Sequence, residues 1–418
     1  MSIIAIVATC DTKYHEVCFV RDLIRRAGHT PLVVDTSTGD QLKMTGDITR
    51  EEVLRYGGFR PEEIIGIYSK SDCIEIMVKS VRAAVWDLYA SHRIDGVLGM
   101  GGLQNTIICS AAFRLLPIGF PKLIVSTVAS GYKYFESVVG TKDITVVPSI
   151  VDFCGMNVIS EPILTNATAS VIGMVEHGGD QINTQGHYII GTTLMGITND
   201  TAVAATTKLE RDGYEFLSFH STGGGGQVLE QMIADGHIKA VMDISLHEMV
   251  PEYFGNYGFC RGAKDRLLAG ARAGIPMLIC PGAIDCISLT PDEFLEDQEQ
   301  RGYVWHNTGL THTRLYEHEI LDVARIIAER LNQATGEVVL LLPLGGGLRT
   351  LSSEGEPFYA PDTMRKLKEL FEKELKPEIR MKCYPHNYID PAFGEIIAEE
   401  TEALLARNGY APGLVKEV

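Results

Sequence analysis

The chain carries one pattern twice. Residues 3–39 read IIAIVATCDTKYHEVCFVRDLIRRAGHTPLVVDTSTG, and residues 188–224 read YIIGTTLMGITNDTAVAATTKLERDGYEFLSFHSTGG. Each copy is an apolar run, a Thr/Asp/Asn-rich turn, an amphipathic stretch, a glycine, a second apolar run and a Ser/Thr-Gly turn. Gly28 answers Gly213 at the same offset as Asp35 answers His220. Repetition at domain length, well beyond the roughly 20–50 residues of a solenoid unit, argues for tandem domains. Apolar runs that alternate with helical patterns are βαβ units and imply parallel sheets.

At 418 residues the chain has room for two or three domains, and the repeat selects two. The polar, glycine-rich stretch HGGDQINTQGH at 177–187 marks the boundary. The expected architecture is α/β: two tandem Rossmann-like, doubly wound parallel-sheet domains, 1–180 and 187–418. In the first, strands are expected at 3–9, 31–35, 96–100, 122–127 and 144–147. In the second they are expected at 188–194, 216–220, 240–244, 276–280, 338–342 and 380–384. The first strand of each half should lie near the middle of its sheet.

A net charge of −17 argues against a nucleic-acid polymer or an anionic membrane as partner, because both need clustered Lys/Arg. A single nucleotide stays admissible, since backbone amides and one lysine suffice to hold it. Nine cysteines without a C-x-x-C, and an opening apolar run with no basic leader, lead us to expect a reducing, cytoplasmic setting. No apolar run approaches the roughly 20 residues of a membrane span.

Parallel sheets bind ligands beyond the carboxyl ends of their strands, so the strand-end loops are where chemistry is expected. The first strand ends in Thr9-Cys10-Asp11-Thr12-Lys13, a cluster that can bind phosphate through amides, hydroxyls and the ammonium. The competing reading is a helix cap by Asp11 or Thr12. The second strand ends in Asp35-Thr36-Ser37-Thr38-Gly39. An acid here meets a ribose hydroxyl in dinucleotide folds, or else forms an Asx turn. The third runs into Gly99-Met100-Gly101-Gly102-Leu103-Gln104-Asn105-Thr106. Glycines between a strand and a helix let a phosphate approach the helix N-terminus, or serve close helix–strand packing. The fourth ends in Ser126-Thr127-Val128-Ala129-Ser130-Gly131, and the fifth leads to Asp152. Small, hydroxyl or Gly-rich turns at every strand end favour a ligand, and phosphate over an apolar one.

The second half has His220-Ser221-Thr222-Gly223-Gly224-Gly225-Gly226 before a helix. Four glycines in a row are entropically expensive to order, so a functional reason for close approach of the backbone is expected there. Thr222 and Gly223–Gly226 are the candidate substrate loop, with His220 as a candidate acid/base. The competing reading of His220 is an ordinary polar loop residue. Other strand-end candidates are Asp243, His247, Glu248, Gly282 and Asp285. The segment after Asp297 adds His306, His312 and His318, and His312 and His318 are read as flanking the start of a helix. The histidine spacings fit no standard metal-ligand pattern, and no metal site is expected among them.

VATCDTK, VVDTSTG, GVLGMGGLQNT, LPIGFPKLIVSTVASG, VPSIVDFCGMN, FHSTGGGG and YPHNYIDPAFGE resemble the plant tobamovirus-resistance-type ATP-binding family. The resemblance runs from Ile3 to about Glu395. It implies two Rossmann-like domains, ATP in the amino-terminal one, and self-association into a homo-oligomer. By motif, Asp11, Thr12, Lys13, Gly101, Gly102, Thr106, Ser126, Thr127, Ser130 and Gly131 would approach the nucleotide. Family members carry a richer glycine run after the third strand, where this chain has Leu103-Gln104-Asn105. The resemblance implies no reaction.

Three readings of activity follow. One is an enzyme with ATP on the first-domain loops and a small acceptor on the His220 loop. Lys13 would then stabilise phosphate charge, and Mg²⁺ would be held by Asp11 or Asp152. The second is a nucleotide-responsive binding or scaffold module without turnover. The third is a hydrolase or lyase acting on a sugar acid or phosphorylated metabolite, with second-domain histidines catalytic.

Overall fold

The computed structural model describes the chain except residues 40, 64–68, 130–137, 180, 181, 183, 185 and 411–418. It divides into two compact units, residues 1–183 and 184–418.

In the first unit β1 (Ile3–Ala8), β2 (Thr30–Asp35), β3 (Gly96–Gly101), β4 (Lys122–Ser126) and β5 (Thr145–Pro148) form a parallel sheet in the order β2-β1-β3-β4-β5. Alternation along β1 explains its two covered faces. Ile4, Ile6 and Ala8 pack against Val17, Val20 and Ile24 of helix 14–26 and Leu164, Ala167 and Val171 of helix 160–177. Ala5 and Val7 point the other way, onto Val81 and Val85 of helix 70–90 and Ile108 and Phe113 of helix 103–113. The short helix 50–56 starts on a capping box: Glu52 N donates to Thr49 Oγ1 at 3.3 Å and Thr49 N to Glu52 Oε2 at 2.8 Å.

The second unit repeats the plan. It uses β6 (Ile189–Leu194), β7 (Glu215–His220), β8 (Ile238–Asp243) and β9 (Met277–Ile279). The chain then leaves the sheet for β10 (Cys286–Leu289), β11 (Tyr303–Asn307) and β12 (Leu310–Arg314), and returns as β13 (Val338–Pro343) and β14 (Arg380–Tyr384). The parallel sheet has the order β14-β13-β9-β8-β6-β7, so its first three strands match those of the first unit. In both sheets the first strand is one in from the edge.

The excursion is an antiparallel sheet, β10-β12-β11, inserted between the fourth and fifth strands of the repeat. It corrects the reading of His312 as flanking a helix start. His312 lies within β12 opposite Ser288, and the helix begins at Glu317. Short strands with polar residues at alternate positions look like loop until their partners are known. Among the described residues, no helix is long and apolar enough to cross a membrane.

Candidate functional site

In the first unit, helix 14–26 follows β1 on one face of the sheet and helix 103–113 follows β3 on the other. The backbone therefore parts between the loop 9–13 and the loop 101–104, where an open sheet has its ligand crevice. Gly101 is needed for packing, because a Cβ there would lie 2.7 Å from Asn105 Cβ. Gly102 is different. It is the N-cap of helix 103–113, with φ −79° and ψ −167°, and no side chain caps the helix. Among the described residues, a Cβ on Gly102 would meet only Thr127 Oγ1, at 3.6 Å. The position has the room and the backbone of a capping residue without its side chain, which leaves the first-turn amides open.

Several expected nucleotide contacts turn inward instead. Asp35 is buried, and its Oδ1 accepts from Ser37 N (2.9 Å), Ser37 Oγ (2.5 Å) and Cys10 N (3.2 Å). This is the Asx turn, not a free ribose acceptor. Burial raises the Asp35 carboxyl above its usual range, against the lowering effect of the Ser37 and Cys10 bonds. Thr36 Oγ1 donates to Asn105 Oδ1 at 2.7 Å, and Asn105 Nδ2 donates to Val7 O (3.1 Å) and Met100 O (2.7 Å). Asn105 thus ties the ends of β1, β2 and β3 together. Thr106 Oγ1 and Ser126 Oγ, both buried, bond each other at 2.7 Å. Asp35, Thr36, Asn105, Thr106 and Ser126 are therefore reassigned from ligand contacts to loop supports.

Thr12 is exposed, and Thr127 and Lys13 are half-buried. The Lys13 ammonium donates to the Phe153 carbonyl and lies 3.9 Å from Asp152 Oδ1, which pins the loop after β5 to the loop after β1. Asp11 is buried; its Oδ2 accepts from Gly39 N at 3.0 Å, and its Oδ1 has no partner among the described residues. Ser130 and Gly131 lie outside the described residues. A surface cavity lined by Ser2, Asp95, Phe120 and Gly178 opens at the opposite, amino ends of the strands. Parallel sheets do not present helix N-termini there, and we assign it no role.

In the second unit the tetraglycine loop already holds an anion. Glu248 Oε1 accepts from Gly223 N at 2.7 Å and from Gly226 N at 2.9 Å. Glu248 is in turn bound by Arg266, whose Nε donates to Oε2 at 2.7 Å. Arg266 also reaches both oxygens of Asp243 (2.7 and 3.0 Å) and Glu230 Oε1 (3.1 Å). All four side chains are buried. The three carboxylates hold the Arg266 guanidinium protonated despite its burial. Gly223 and Gly226 are thus corrected from substrate contacts to the cradle of an internal carboxylate. Thr222 N donates to His220 O at 2.9 Å, and a Cβ on Gly225 would lie 2.1 Å from the same carbonyl. Gly224 alone is exposed with open space. His220 is exposed, and among the described residues nothing hydrogen-bonds its ring, so its orientation for acid/base work is not supported.

A different histidine pair is held tightly. His247 Nδ1 lies 3.0 Å from Ala283 O, and its Nε2 3.1 Å from Ser288 Oγ. Ser288 Oγ lies 3.1 Å from His312 Nδ1. Burial, with the charge of Arg349, pushes the His312 imidazolium down to about 3. For His247, burial acts downward, but Cys260 and the Ala283 carbonyl outweigh it and the net direction is upward. Arg349 is buried with its guanidinium 3.8 Å over the Phe358 ring. His247, Asp285 and His312 stand out in the sequence; Ser288 and Arg349 do not, because their significance lies in what they touch. Among the described residues there is no group of three His, Cys, Asp or Glu side chains set to hold a metal.

The comparisons agree with the motif resemblance. A UPF0261 protein of Clostridium tetani is 34% identical over 95% of this chain and 97% of its own length. The tomato ToMV susceptible protein tm-1(GCR26) and ToMV resistance protein Tm-1(GCR237) are each 32% identical, over 97% and 94% of this chain. This chain spans 56% and 54% of those two tomato proteins. Residues 2–179 match the N-terminal domain model, and residues 187–405 the C-terminal domain model, of the uncharacterised protein family UPF0261. The chain belongs to that family.

Proposed function

We propose that the first unit binds a nucleotide, with its phosphates on the uncapped N-terminus of helix 103–113 and ATP as the ligand. The observation that carries this reading is Gly102, an N-cap with room for a side chain and none present. First-turn amides and the helix dipole favour an anion at that point. Thr12 is exposed and Lys13 half-buried on the loop after β1, and Thr127 is half-buried on the loop after β4. Family resemblance supplies the identity of the anion as ATP. The residues fit phosphate better than they fit a resident metal. Asp11 is tied to Gly39 and Asp152 faces solvent near Lys13, so Mg²⁺ would arrive with the phosphates rather than in a protein cage.

Gly102→Asp tests this. An Asp at the N-cap satisfies the same amides and stabilises the helix by about a few tenths of a kcal/mol relative to Gly, while its charge fills the phosphate position. Calorimetric titration with Mg-ATP is expected to give binding to the parent protein. The Gly102→Asp variant should lose that binding while melting at an unchanged or higher temperature. Equal ATP affinity in both proteins, or no heat from ATP, ADP or AMP with the parent, defeats the proposal.

A further inference from the structure

Five buried side-chain polar atoms of the second unit have no hydrogen-bond partner among the described residues: Thr192 Oγ1, Gln298 Oε1, Asp285 Oδ1, His312 Nε2 and Arg349 Nη1. The last three belong to one place. Ala283 N donates to Leu348 O at 2.9 Å, which sets the loop carrying Asp285 against the loop carrying Arg349, and the Arg349 charge acts on both Asp285 and His312. Buried polar groups are seldom left unpaired, and an unpaired buried cation is costlier still. Among the described residues no carboxylate makes an ion pair with Arg349, whereas Arg266 in the same unit has three. The orphans come from three separate segments: the loop after β9, strand β12, and the loop after β13. Accidental coincidence of three is a poor explanation; a ligand that pairs with all of them is a better one.

We propose that this cluster binds a small carboxylate through Arg349, with His312 Nε2 as the atom that exchanges a proton with it. A monoanion fits better than a phosphate dianion. One guanidinium nitrogen, Nη1, has no partner among the described residues, and the neighbouring Asp285 carboxyl would repel a second negative charge. Through its ring contact with His306, the cluster reaches the surface at β11. His306 is exposed and its ring centroid is 5.1 Å from that of His312. Gly196 is exposed below it, and a Cβ there would sit 3.8 Å from His306 Cε1.

The hydrogen-bond chain behind His312 gives the proton a route. A carbonyl only accepts, so the Ala283 contact fixes a proton on His247 Nδ1. With His247 neutral, its Nε2 accepts a hydrogen bond from the Ser288 hydroxyl, and Ser288 Oγ accepts from His312 Nδ1–H. His312 Nε2 is then a bare lone pair. A proton leaving an O–H or C–H of the ligand goes to that lone pair, and its bonding electrons stay on the ligand, where the new charge faces Arg349. The His312 Nδ1 proton passes to Ser288, and the Ser288 proton passes to His247 Nε2. The positive charge ends on His247, against Ala283 and Cys260. Run backwards, the same chain makes His312 a proton donor. This assignment is independent of nucleotide binding by the first unit.

The test is histidine-ring ¹⁵N NMR on the full chain, titrated separately with acetate, malonate, lactate, pyruvate and inorganic phosphate. At least one carboxylate is expected to shift the His312 nitrogens with a Kd on the order of 1–10 mM. Arg349→Lys should weaken it about tenfold or more, since a point charge cannot reproduce the planar guanidinium contact. Should Arg349→Lys fail to fold, Gly196→Val is expected to obstruct the approach past His306 and weaken binding without lowering the melting temperature. Ser288→Ala should leave carboxylate affinity within about twofold and uncouple the His312 and His247 titrations, which a purely packing role for Ser288 would not do. No response at His312 to any of the four carboxylates overturns the site. A response to phosphate alone overturns the carboxylate assignment. Undiminished binding in both Arg349→Lys and Gly196→Val places the ligand elsewhere and overturns it as well.

Discussion

The Glu248 carboxylate sits where a side chain on Gly226 would be. Its Oε1 accepts from Gly226 N at 2.9 Å, and a Cβ on Gly226 would lie 1.8 Å from Oε2. Helix 224–234 therefore begins on an internal anion, which Arg266 neutralises from the other side at 2.7 Å. The glycine run that suggests a substrate loop in the sequence is, in three dimensions, largely filled by the protein itself.

Neighbouring glycines of this run should respond in opposite ways to the same substitution. Gly226→Ala displaces Glu248 from Arg266 inside the core, and breaking a buried pair costs about 3–5 kcal/mol. Gly224→Ala meets nothing within 4 Å among the described residues, and replaces a helical glycine by a better helix former. It should be neutral or stabilise by up to about 1 kcal/mol. Urea denaturation midpoints of the two variants check this, and equal midpoints would contradict the geometry.

Asn105 should behave as a support and not as a ligand contact. Asn105→Ala removes the donor to Val7 O and Met100 O and the acceptor for Thr36 Oγ1. With three buried hydrogen bonds lost, a loss of about 2–4 kcal/mol is expected. Gln104→Ala removes only a half-buried bond to Thr38 Oγ1 at 3.0 Å and should change stability by less than about 1 kcal/mol. Comparable losses in the two variants, measured by thermal unfolding, would contradict the assignment.

His312 should make the protein acid-sensitive. Its imidazolium is pushed from 6.5 down to about 3 by burial first, and then by Arg349, His247 and His306. Asp285 feels the same Arg349 and His247 charges. Between pH 6.5 and about 3 the unfolded chain takes up a proton at this residue that the folded chain does not. Stability owed to the neutral ring is thus fully present above the unfolded value and is lost as pH falls, with a limiting slope of about 1.4 kcal/mol per pH unit. Asp285 and Glu230, whose carboxyls are raised mainly by burial, act in the opposite direction. The difference in unfolding free energy between wild type and His312→Gln, followed from pH 7 to pH 4, isolates the histidine. A pH-independent difference would show that His312 is not held neutral.

Much of the architecture is legible in the residues. Apolar runs such as IIAIVA and VVLLLP, buried on both faces, announce central parallel strands. The repeat of strand, turn, helix and glycine announces two doubly wound units, and both sheets place their first three strands alike. The sheet β10-β12-β11 is not legible. CISL, YVWHN and LTHTR are short and mixed in polarity, and only their pairing makes them strands. Asp35 illustrates the same limit at a site. A ribose acceptor and an Asx turn have one sequence signature, and the Ser37 and Cys10 bonds decide between them.

What the sequence determines by itself is the periodic part: which segments are strands and helices, that the plan occurs twice, and where strand ends gather hydroxyls and glycines. These follow from apolar spacing within a few residues of chain. Only the tertiary structure decides which polar group answers which. Glu248 reaches the amides of Gly223 and Gly226, and His312 meets Ser288 and the charge of Arg349. Those partners come from distant segments, and a side chain of given type can face a ligand or a neighbour with equal chemical ease. Burial settles the matter, because an enclosed donor or acceptor must find its partner wherever the fold brings one.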